Sequence, residues 1–557
     1  MKTFRHLLAS ITAMLLIAWP AAAFAGWTRA DTHNFIIYSN GDRDGLEQFA
    51  KDVERFDGLL RLRLKVQRDP TPNRLTIFVV ESQGTVNELL GADGLIAGFY
   101  VPTSDGSYAV INRAKKSDLR GIDGKTILFH EYAHHFMFRN FTAPYPGWYV
   151  EGFAEFVSTA TIAPDGSWTL GKTAFHRGQT LMQENQISIE KVLERPNRMT
   201  GAEVLQFYAR SWLLVHMLST QPQYAGKLEA YLKATTSGTP SLEAAKAVFG
   251  DSKALEKALH AYLGKGISYV SSNKPITVDG DMTITALDAT RSRLIDFGLQ
   301  RRAGGQLKQA RDGLLSFTSA NPQNAEGWVE LAQVEYGLIG EAVGKAEAEK
   351  RKTETKKKPK AADKDKTKNK DDEEDPEIEV VAMRDDDPPA AHANDSLIEG
   401  YVDRALAIDP NNPRANALKG EIATWRLKAA NETSAAKWQT ARGWYRKAIT
   451  AEPHNIRALL GWYESFGRQG KAAPVNASAG LESAFSLAPE ATDVRRRLAF
   501  DYAHRGDFDQ ALGLIKVIAY APHSSQLGKA LLRRIEAMKL DAEQKAADDK
   551  EAQKKAG

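Results

Sequence analysis

A short segment that ends in proline recurs five times in the second half of the chain. The segments are SFTSANP, RALAIDP, KAITAEP, SAFSLAP and KVIAYAP, and their prolines are Pro322, Pro410, Pro453, Pro489 and Pro522. The last two intervals between these prolines are 36 and 33 residues. A period of this length, in which proline closes an apolar stretch, indicates helical units that stack and bury their apolar faces against one another.

The residues around these prolines match one kind of repeat unit. Trp328, Leu331 and Ala332 fit the W-x-x-L-[GA] opening of a first repeat helix. A small residue lies five positions before three of the prolines, where paired helices approach each other: Ala405, Ala448 and Ala484. The sequence resembles a tetratricopeptide array over residues 291–540, which implies an all-α solenoid that recruits a substrate or a protein partner.

A charged stretch interrupts the array between Pro322 and Pro410, an interval much too long for one unit. It has a basic half, an acidic half and almost no large apolar residues, so it cannot bury enough surface to offset the entropy of ordering. We predict a disordered insert at about 345–395, between the two helices of one repeat. It would be a tether for a partner or a solvated loop that the fold tolerates. A charged tail is predicted at 541–557.

The first 25 residues have the composition of an export signal. Lys2 and Arg5 precede an apolar stretch that ends in the small-x-small triplet Ala23-Phe24-Ala25. This pattern predicts signal peptide 1–25, export to the periplasm or the exterior of a bacterial envelope, and no stable membrane span after cleavage. The alternative is an uncleaved membrane anchor.

The number of cysteines and the balance of charged residues limit the kinds of site and partner that the chain can have. The chain has no cysteine, which excludes disulfides and zinc sites with Cys ligands. Its 74 basic and 70 acidic residues nearly cancel. No excess of positive charge indicates nucleic acid, and we expect no nucleic-acid partner.

Residues 26–270 begin with alternating strand and helix patterns and become mostly helical after residue 125. NFIIYS and RLTIFVV have strand character, and IAGFYVP and SYAVINR bracket the turn residues TSDG as a hairpin. The pattern predicts an α+β domain, with a linker at 271–290 before the repeats.

Two pairs of metal-binding side chains have helical spacing. In the apolar stretch KTILFHEYAHHFMF, His130 and His134 lie one turn apart, so both rings can reach one cation, and Glu131 lies beside them. In WYVEGFAEFVS, Glu151 and Glu155 are again four residues apart. Packing alone does not explain an ionisable glutamate in such an apolar helix.

H-E-x-x-H and E-G-F-A-E together resemble the zinc motifs of gluzincin metallopeptidases, the group that includes thermolysin-like and aminopeptidase-N-like enzymes. The resemblance implies a zincin-like α+β fold and one catalytic Zn²⁺ with His130, His134 and Glu151 as ligands. It also implies that Glu155 accepts a hydrogen bond from the second nitrogen of a ligand histidine, which fixes its tautomer. In that family Glu131 would be the general base for a metal-activated water.

The resemblance also suggests an oxyanion-stabilising tyrosine on a later helix. Tyr208, in EVLQFYARSWLLVHML, is the candidate for this role, and a packing role is the alternative. We expect His135 and His216 to be structural residues or to support the ligands.

The family resemblance predicts a zinc peptidase that cleaves peptides or proteins, and one departure from the family narrows the activity. The G-x-M-E-N motif, with which aminopeptidases bind a free amino terminus, is absent. We therefore favour an endopeptidase in which SYAVINR, at the edge of the sheet, pairs with an extended peptide. The competing hypothesis is a catalytically inactive tetratricopeptide scaffold that carries a zinc-stabilised, peptidase-like domain.

Overall fold

The computed structural model describes residues 26–69, 73–92, 96–113, 123–196, 199–278, 280–357, 395–520 and 526–556. The predicted signal peptide and residues 358–394 of the predicted insert lie outside these ranges. Among the described residues, a search for helices of sufficient length and apolarity to span a membrane finds none.

Six strands form one mixed sheet in the N-terminal half. They are β1 (Thr28–Asp31), β2 (Phe35–Ser39), β3 (Leu75–Val80), β4 (Gly98–Val101), β5 (Tyr108–Asn112) and β9 (Thr283–Ala286). Their order in the sheet is β4-β5-β3-β2-β1-β9. The three central strands β5, β3 and β2 are parallel, and β4, β1 and β9 are antiparallel to their neighbours. A second sheet contains β6 (Thr161–Ile162), β7 (Trp168–Leu170) and β8 (Val270–Ser272).

Alternation along the strands sends side chains into two separate cores. Ile37 and Ile77 face a core that includes residues of the two helices 43–64 and 124–140. Tyr38 and Phe78, the next residues along the same strands, face the opposite core, to which the repeats contribute Leu299. The sheet is therefore covered on both faces, as central parallel strands require.

Ten α-helices and a short 3₁₀ helix, Pro222–Tyr224, are described in this half, and polar side chains cap several of the α-helix N-termini. Asp42, Ser82 and Thr200 each accept a hydrogen bond from a backbone N–H in the first turn. The helices are α1 (Arg43–Leu64), α2 (Gln83–Leu90), α3 (Gly124–Asn140), α4 (Gly147–Ser158), α5 (Phe175–Leu181), α6 (Ile189–Glu194), α7 (Gly201–Thr220), α8 (Lys227–Thr236), α9 (Ser241–Phe249) and α10 (Ser252–Leu263).

Two sequence-based predictions about this half were wrong. The segment 271–290 is not a linker, because β9 pairs with β1 along its whole length and β8 ends at Ser272. SYAVINR is not the edge strand either, since β5 lies between β3 and β4. The edge of the sheet on that side is β4, the other strand of the predicted hairpin.

The second half is an array of paired helices, as the recurring prolines predicted. The helices are α11 (Ala289–Ala303), α12 (Leu307–Ala320), α13 (Ala325–Lys357), α14 (Asp395–Ile408), α15 (Pro413–Ala429), α16 (Ala435–Ala451), α17 (Ile456–Arg468), α18 (Val475–Leu487), α19 (Thr492–His504), α20 (Phe508–Ala519) and α21 (Gln526–Ala556). Most connections are short, so consecutive helices pack against each other as hairpins, and alternate helices such as α15 and α17 also touch.

The boundaries of the insert and the tail differ from the predicted ones. Helix α13 continues to Lys357, so the first residues assigned to the insert extend a repeat helix. Residues 541–556 of the predicted tail are helical, because α21 runs without a break to Ala556. Both segments are rich in Ala, Glu and Lys, which are strong helix formers. The prediction of disorder used their charge and low apolar content and did not take this helix propensity into account.

Candidate metal centre

Helix α3, which carries His130 and His134, is held in place by an N-terminal cap and by the packing of its apolar side chains. Asp123 caps the helix by accepting a hydrogen bond from the backbone N–H of Thr126. Its apolar side chains, including Phe129 and Phe136, are almost completely buried in the main core. Packing on this face fixes the rotation of the helix and leaves the polar face towards α4.

Helix α4 approaches its neighbour α7 so closely that one position must be glycine. A Cβ atom on Gly152 would lie 2.4 Å from the carbonyl oxygen of Ser211 and 2.7 Å from a side-chain carbon of Val215. This close contact seats α4 deeply, and Glu151 is completely buried. The glycine of E-G-F-A-E thus positions the first glutamate of that motif.

His130, His134 and Glu151, which we call the His–Glu cluster, converge at one point. The two Nε2 atoms are 3.1 Å apart, and Oε2 of Glu151 lies 3.3 Å from Nε2 of His130 and 3.4 Å from Nε2 of His134. Ligands about 2.0–2.1 Å from a tetrahedral zinc ion are separated from one another by about 3.3 Å. The three donor atoms therefore fit three corners of a zinc tetrahedron.

Carboxylates dominate the electrostatics around the cluster. Burial lowers the pKa of His130, but Glu151, Glu155 and Glu131 outweigh it and raise this pKa to about 9. The surrounding carboxylates thus make the site attractive to positive charge. Burial raises the pKa of Glu131, although the two histidines oppose that effect.

Glu155 lies beside the second nitrogen of a cluster histidine. Its Oε1 atom is 3.4 Å from Nδ1 of His130. Two residues that sequence reasoning missed hold this carboxylate: His176 contacts Oε2 at 3.0 Å, and Arg177 donates to both oxygens. Burial raises the pKa of Glu155, but Arg177 and the two histidines lower it well below its usual range.

The same arginine connects Glu155 with the candidate oxyanion residue. The guanidinium carbon of Arg177 lies 5.2 Å from the ring centre of Tyr208, within reach of a cation–π contact. The Tyr208 ring centre is 6.3 Å from that of His130. Tyr208 is half-buried and therefore borders the cluster instead of lying in the core.

The other two histidines considered from the sequence do not join the cluster. His135 faces away from it, with Nδ1 2.8 Å from the hydroxyl of Tyr100 on β4, and burial lowers its pKa to about 3. His216 is fully buried between the hydroxyl of Tyr262 and the carbonyl of Gly171. Both are neutral packing residues.

Among solved structures, the comparison with known proteins finds likenesses to proteins that include helical repeat proteins. No protein-family model and no curated protein matches the chain. A thermophilic TPR protein of Thermus thermophilus is 17% identical, with a TM-score of 0.28 over 45% of this chain and 100% of that one. Yeast Tom70 is 14% identical, with a TM-score of 0.27 over 65% of this chain and 67% of that one.

A third similar structure is the APC/C hetero-tetramer Cut9-Hcn1, which is 12% identical, with a TM-score of 0.25 over 65% of this chain and 62% of that one. All three TM-scores are below 0.3, and these structures say nothing about the His–Glu cluster.

Proposed function

We propose that this chain is an exported zinc metallopeptidase that cleaves peptide bonds within a protein or peptide. The mutual spacing of the three donor atoms, 3.1 to 3.4 Å, carries the proposal, because ordinary packing gives no reason for that triangle. His130, His134 and Glu151 would hold the ion. The fourth tetrahedral position would be left for a water molecule, as a catalytic site requires.

When bound, zinc would supply Lewis acidity towards the scissile carbonyl and the attacking water. Glu131 accepts the proton of that water and delivers it to the leaving nitrogen. Tyr208, which borders the cluster, donates a hydrogen bond to the oxyanion that develops on the substrate.

The edge strand β4 is the place for the substrate backbone. It packs against α3, and burial, Glu490 and Glu131 raise the pKa of Tyr100 on β4. An extended peptide added to this edge would pass the general base with its backbone fixed by strand pairing. Pairing with main-chain groups requires no free terminus, in keeping with internal cleavage.

The helical array serves as the protein-binding part of the enzyme. Stacked helical pairs form an extended surface suited to holding a partner or a substrate segment. Such a surface raises the concentration of bound substrate near the active site without altering the chemistry. Residues of the array itself also contact the N-terminal half, as described below.

The test combines metal analysis with cleavage of an unfolded protein. Purified full-length protein is expected to contain one zinc ion per chain and to cleave the unfolded protein. Glu131→Gln should retain zinc and lose about 10²- to 10⁴-fold in kcat. Glu184→Gln, at an exposed position of the same half, is the matched control and should behave like the wild type.

Full zinc occupancy without cleavage by the wild type would instead support the competing hypothesis of a zinc-stabilised scaffold. Absence of zinc from the wild type, after purification without chelators, would contradict both hypotheses.

A further inference from the structure

The loop between β4 and β5, residues 102–107, is held by the helical array; we call it the hairpin tip. Asp105 accepts hydrogen bonds from Arg457 of α17, whose Nη1 atom lies 3.2 and 3.3 Å from the two carboxylate oxygens. Arg301 of α11 approaches the same carboxylate at 3.6 Å. Burial raises the pKa of Asp105, but the cations beside it outweigh that effect and lower the pKa well below its usual range.

A serine hydroxyl of the hairpin tip also reaches the array. Ser107 donates to Oε1 of Glu490 at 3.0 Å, in a buried contact. One loop of six residues thus has partners in three separate parts of the array: α11, α17 and the connection between α18 and α19.

The arginines that hold Asp105 are themselves held in position. Arg457 donates to Glu421 of α15 at 2.9 Å, and Arg301 donates to Glu330 of α13 at 2.9 Å. Because neighbouring helices fix these side chains before the hairpin tip is engaged, little side-chain entropy is lost in the contact. The array therefore offers a preformed cationic socket for one acidic residue.

A second contact joins the array to the metal-binding helix itself. Arg139, in the last turn of α3, donates to the carbonyl oxygen of Leu487 at 3.1 Å and contacts Glu490. Arg495 of α19 donates to the carbonyl oxygen of Phe138 at 2.8 Å. Helix α3 and strand β4, which border the proposed substrate path from two sides, are thus both tied to the array.

Strand β4 depends on these ties because it lacks a strand on its outer side among the described residues. Its inner edge pairs with β5, and the hydroxyl of Tyr100 lies 2.8 Å from His135, the residue that follows His134. Movement of the hairpin tip would therefore shift β4 relative to Glu131. A displacement of about 1 Å in a substrate-positioning element can cost about 100-fold in rate.

We propose that the array clamps the hairpin tip through Asp105 and thereby fixes the position of the substrate-binding strand β4. Asp105 and Arg457 are positioning residues, and the array is an integral part of the active site as well as a recruiting surface. This inference rests on the proposed peptidase function for its consequence. The clamp itself is measurable without any activity.

The experiment uses full-length Asp105→Asn, Arg457→Gln and the double variant. Amide hydrogen exchange over residues 98–112, without substrate, should become roughly tenfold faster or more in each, because the clamp restrains local opening. Zinc content should stay unchanged. The value of kcat/KM for an unstructured peptide should fall by about 10- to 100-fold, mainly through KM.

Two comparisons separate a positioning role from general destabilisation. The double variant should lose no more than the stronger single variant, since either change opens the same contact. Arg457→Lys, which retains the charge, should recover part of the loss. Lys539→Gln removes another cation of the array, one paired with the exposed Asp509, and should leave exchange at 98–112 unaltered.

Each contrary result has a distinct meaning. Unchanged exchange over residues 98–112 in both single variants overturns the clamp. Faster exchange with unchanged kcat/KM overturns the positioning role. A wild type that binds zinc but cleaves nothing refutes the peptidase function, while the exchange data still decide whether the array holds the hairpin tip.

Discussion

Carboxylates in two parts of the molecule, the His–Glu cluster and the socket around the hairpin tip, face different partners. In the His–Glu cluster, Glu151 faces the ring nitrogens of His130 and His134. In the socket around the hairpin tip, carboxylates face guanidinium groups; we call this the arginine network, and its members are Asp105, Arg301, Glu330, Arg414 and Arg457.

That difference decides what each place can do. A guanidinium group is permanently charged and has no lone pair to offer, so the arginine network balances its own charge and has no donor set for a metal. A histidine nitrogen is neutral when deprotonated and can coordinate a cation. Buried acids opposite histidines therefore indicate a metal site, whereas buried acids opposite arginines indicate a structural contact.

The largest expected effect is on the zinc affinity of the protein, which should depend on the His–Glu cluster and not on the arginine network. Glu151→Ala should weaken zinc binding by at least about 1,000-fold, since a total binding free energy of about 10–16 kcal/mol is shared among few ligands. Glu330→Ala removes a similarly buried carboxylate from the arginine network and should leave zinc affinity unchanged. Competition with a chelating dye measures both. Full affinity in Glu151→Ala would assign the third ligand elsewhere.

The second prediction concerns the response of the arginine network to acid. Burial raises the pKa of Glu330, but Arg414 and Arg301 outweigh it and lower the pKa from 4.5 to about 2. The folded-state pKa is depressed, so the ion pairs stabilise the fold above about pH 4.5, and this contribution is lost as the pH falls towards 2. At most it is about 3 kcal/mol.

Glu330→Gln tests this response, because the amide does not titrate. The variant should be less stable than the wild type at pH 6, and the difference between their free energies of unfolding should shrink as the pH falls to 3. Urea unfolding followed by tryptophan fluorescence gives both values. A difference that stays constant with pH would mean that the carboxylate does not act through its charge.

The third prediction returns to the His–Glu cluster and to the residues that sequence reasoning missed. Arg177→Ala should weaken zinc binding by about 10- to 100-fold, because Glu155 would lose the partner that orients it against His130. Arg177→Lys should retain part of the effect, since it keeps the charge without the two-pronged geometry. Unaltered affinity in Arg177→Ala would show that His176 alone suffices to hold Glu155.

The sequence located the His–Glu cluster because its signal is local. Residues four apart on a helix must share a face, so the spacing of His130 and His134 directly implies convergence. The position of Glu151 relative to them required the family resemblance. His176 and Arg177 follow a loop, and no helical spacing in the sequence links them to the cluster residues. They come near Glu155 through tertiary packing, in which α5 contacts α7.

The arginine network and the sheet order could not be read from the sequence because their contacts are not local. Asp105 and Arg457 are 352 positions apart, and an aspartate in a turn otherwise only indicates turn chemistry. The prediction that β5, and not β4, is the edge strand was wrong for a similar reason. Alternating hydrophobicity identifies strands and hairpins, but it does not state which strand of a hairpin pairs further with the rest of the sheet.

The smallest expected effect tests whether burial, and not the mere presence of an ion pair, distinguishes the arginine network from the rest of the array. Lys539 of α21 lies 3.5 Å from Asp509 of α20, and the aspartate side chain is 94% exposed. Water screens such a pair, and holding a long side chain in place costs entropy, so Lys539→Gln should change the free energy of unfolding by less than about 1 kcal/mol.

Raising the salt concentration from about 0.1 to 1 M should abolish even that difference, because the Debye length falls from about 10 to 3 Å. The ion pairs of the buried Glu330 should respond less to the same change. If Lys539→Gln destabilised the array as much as Glu330→Gln does at pH 6, exposed and buried ion pairs would contribute equally to the free energy of unfolding. The arginine network around Asp105 would then be no more stabilising than an exposed ion pair.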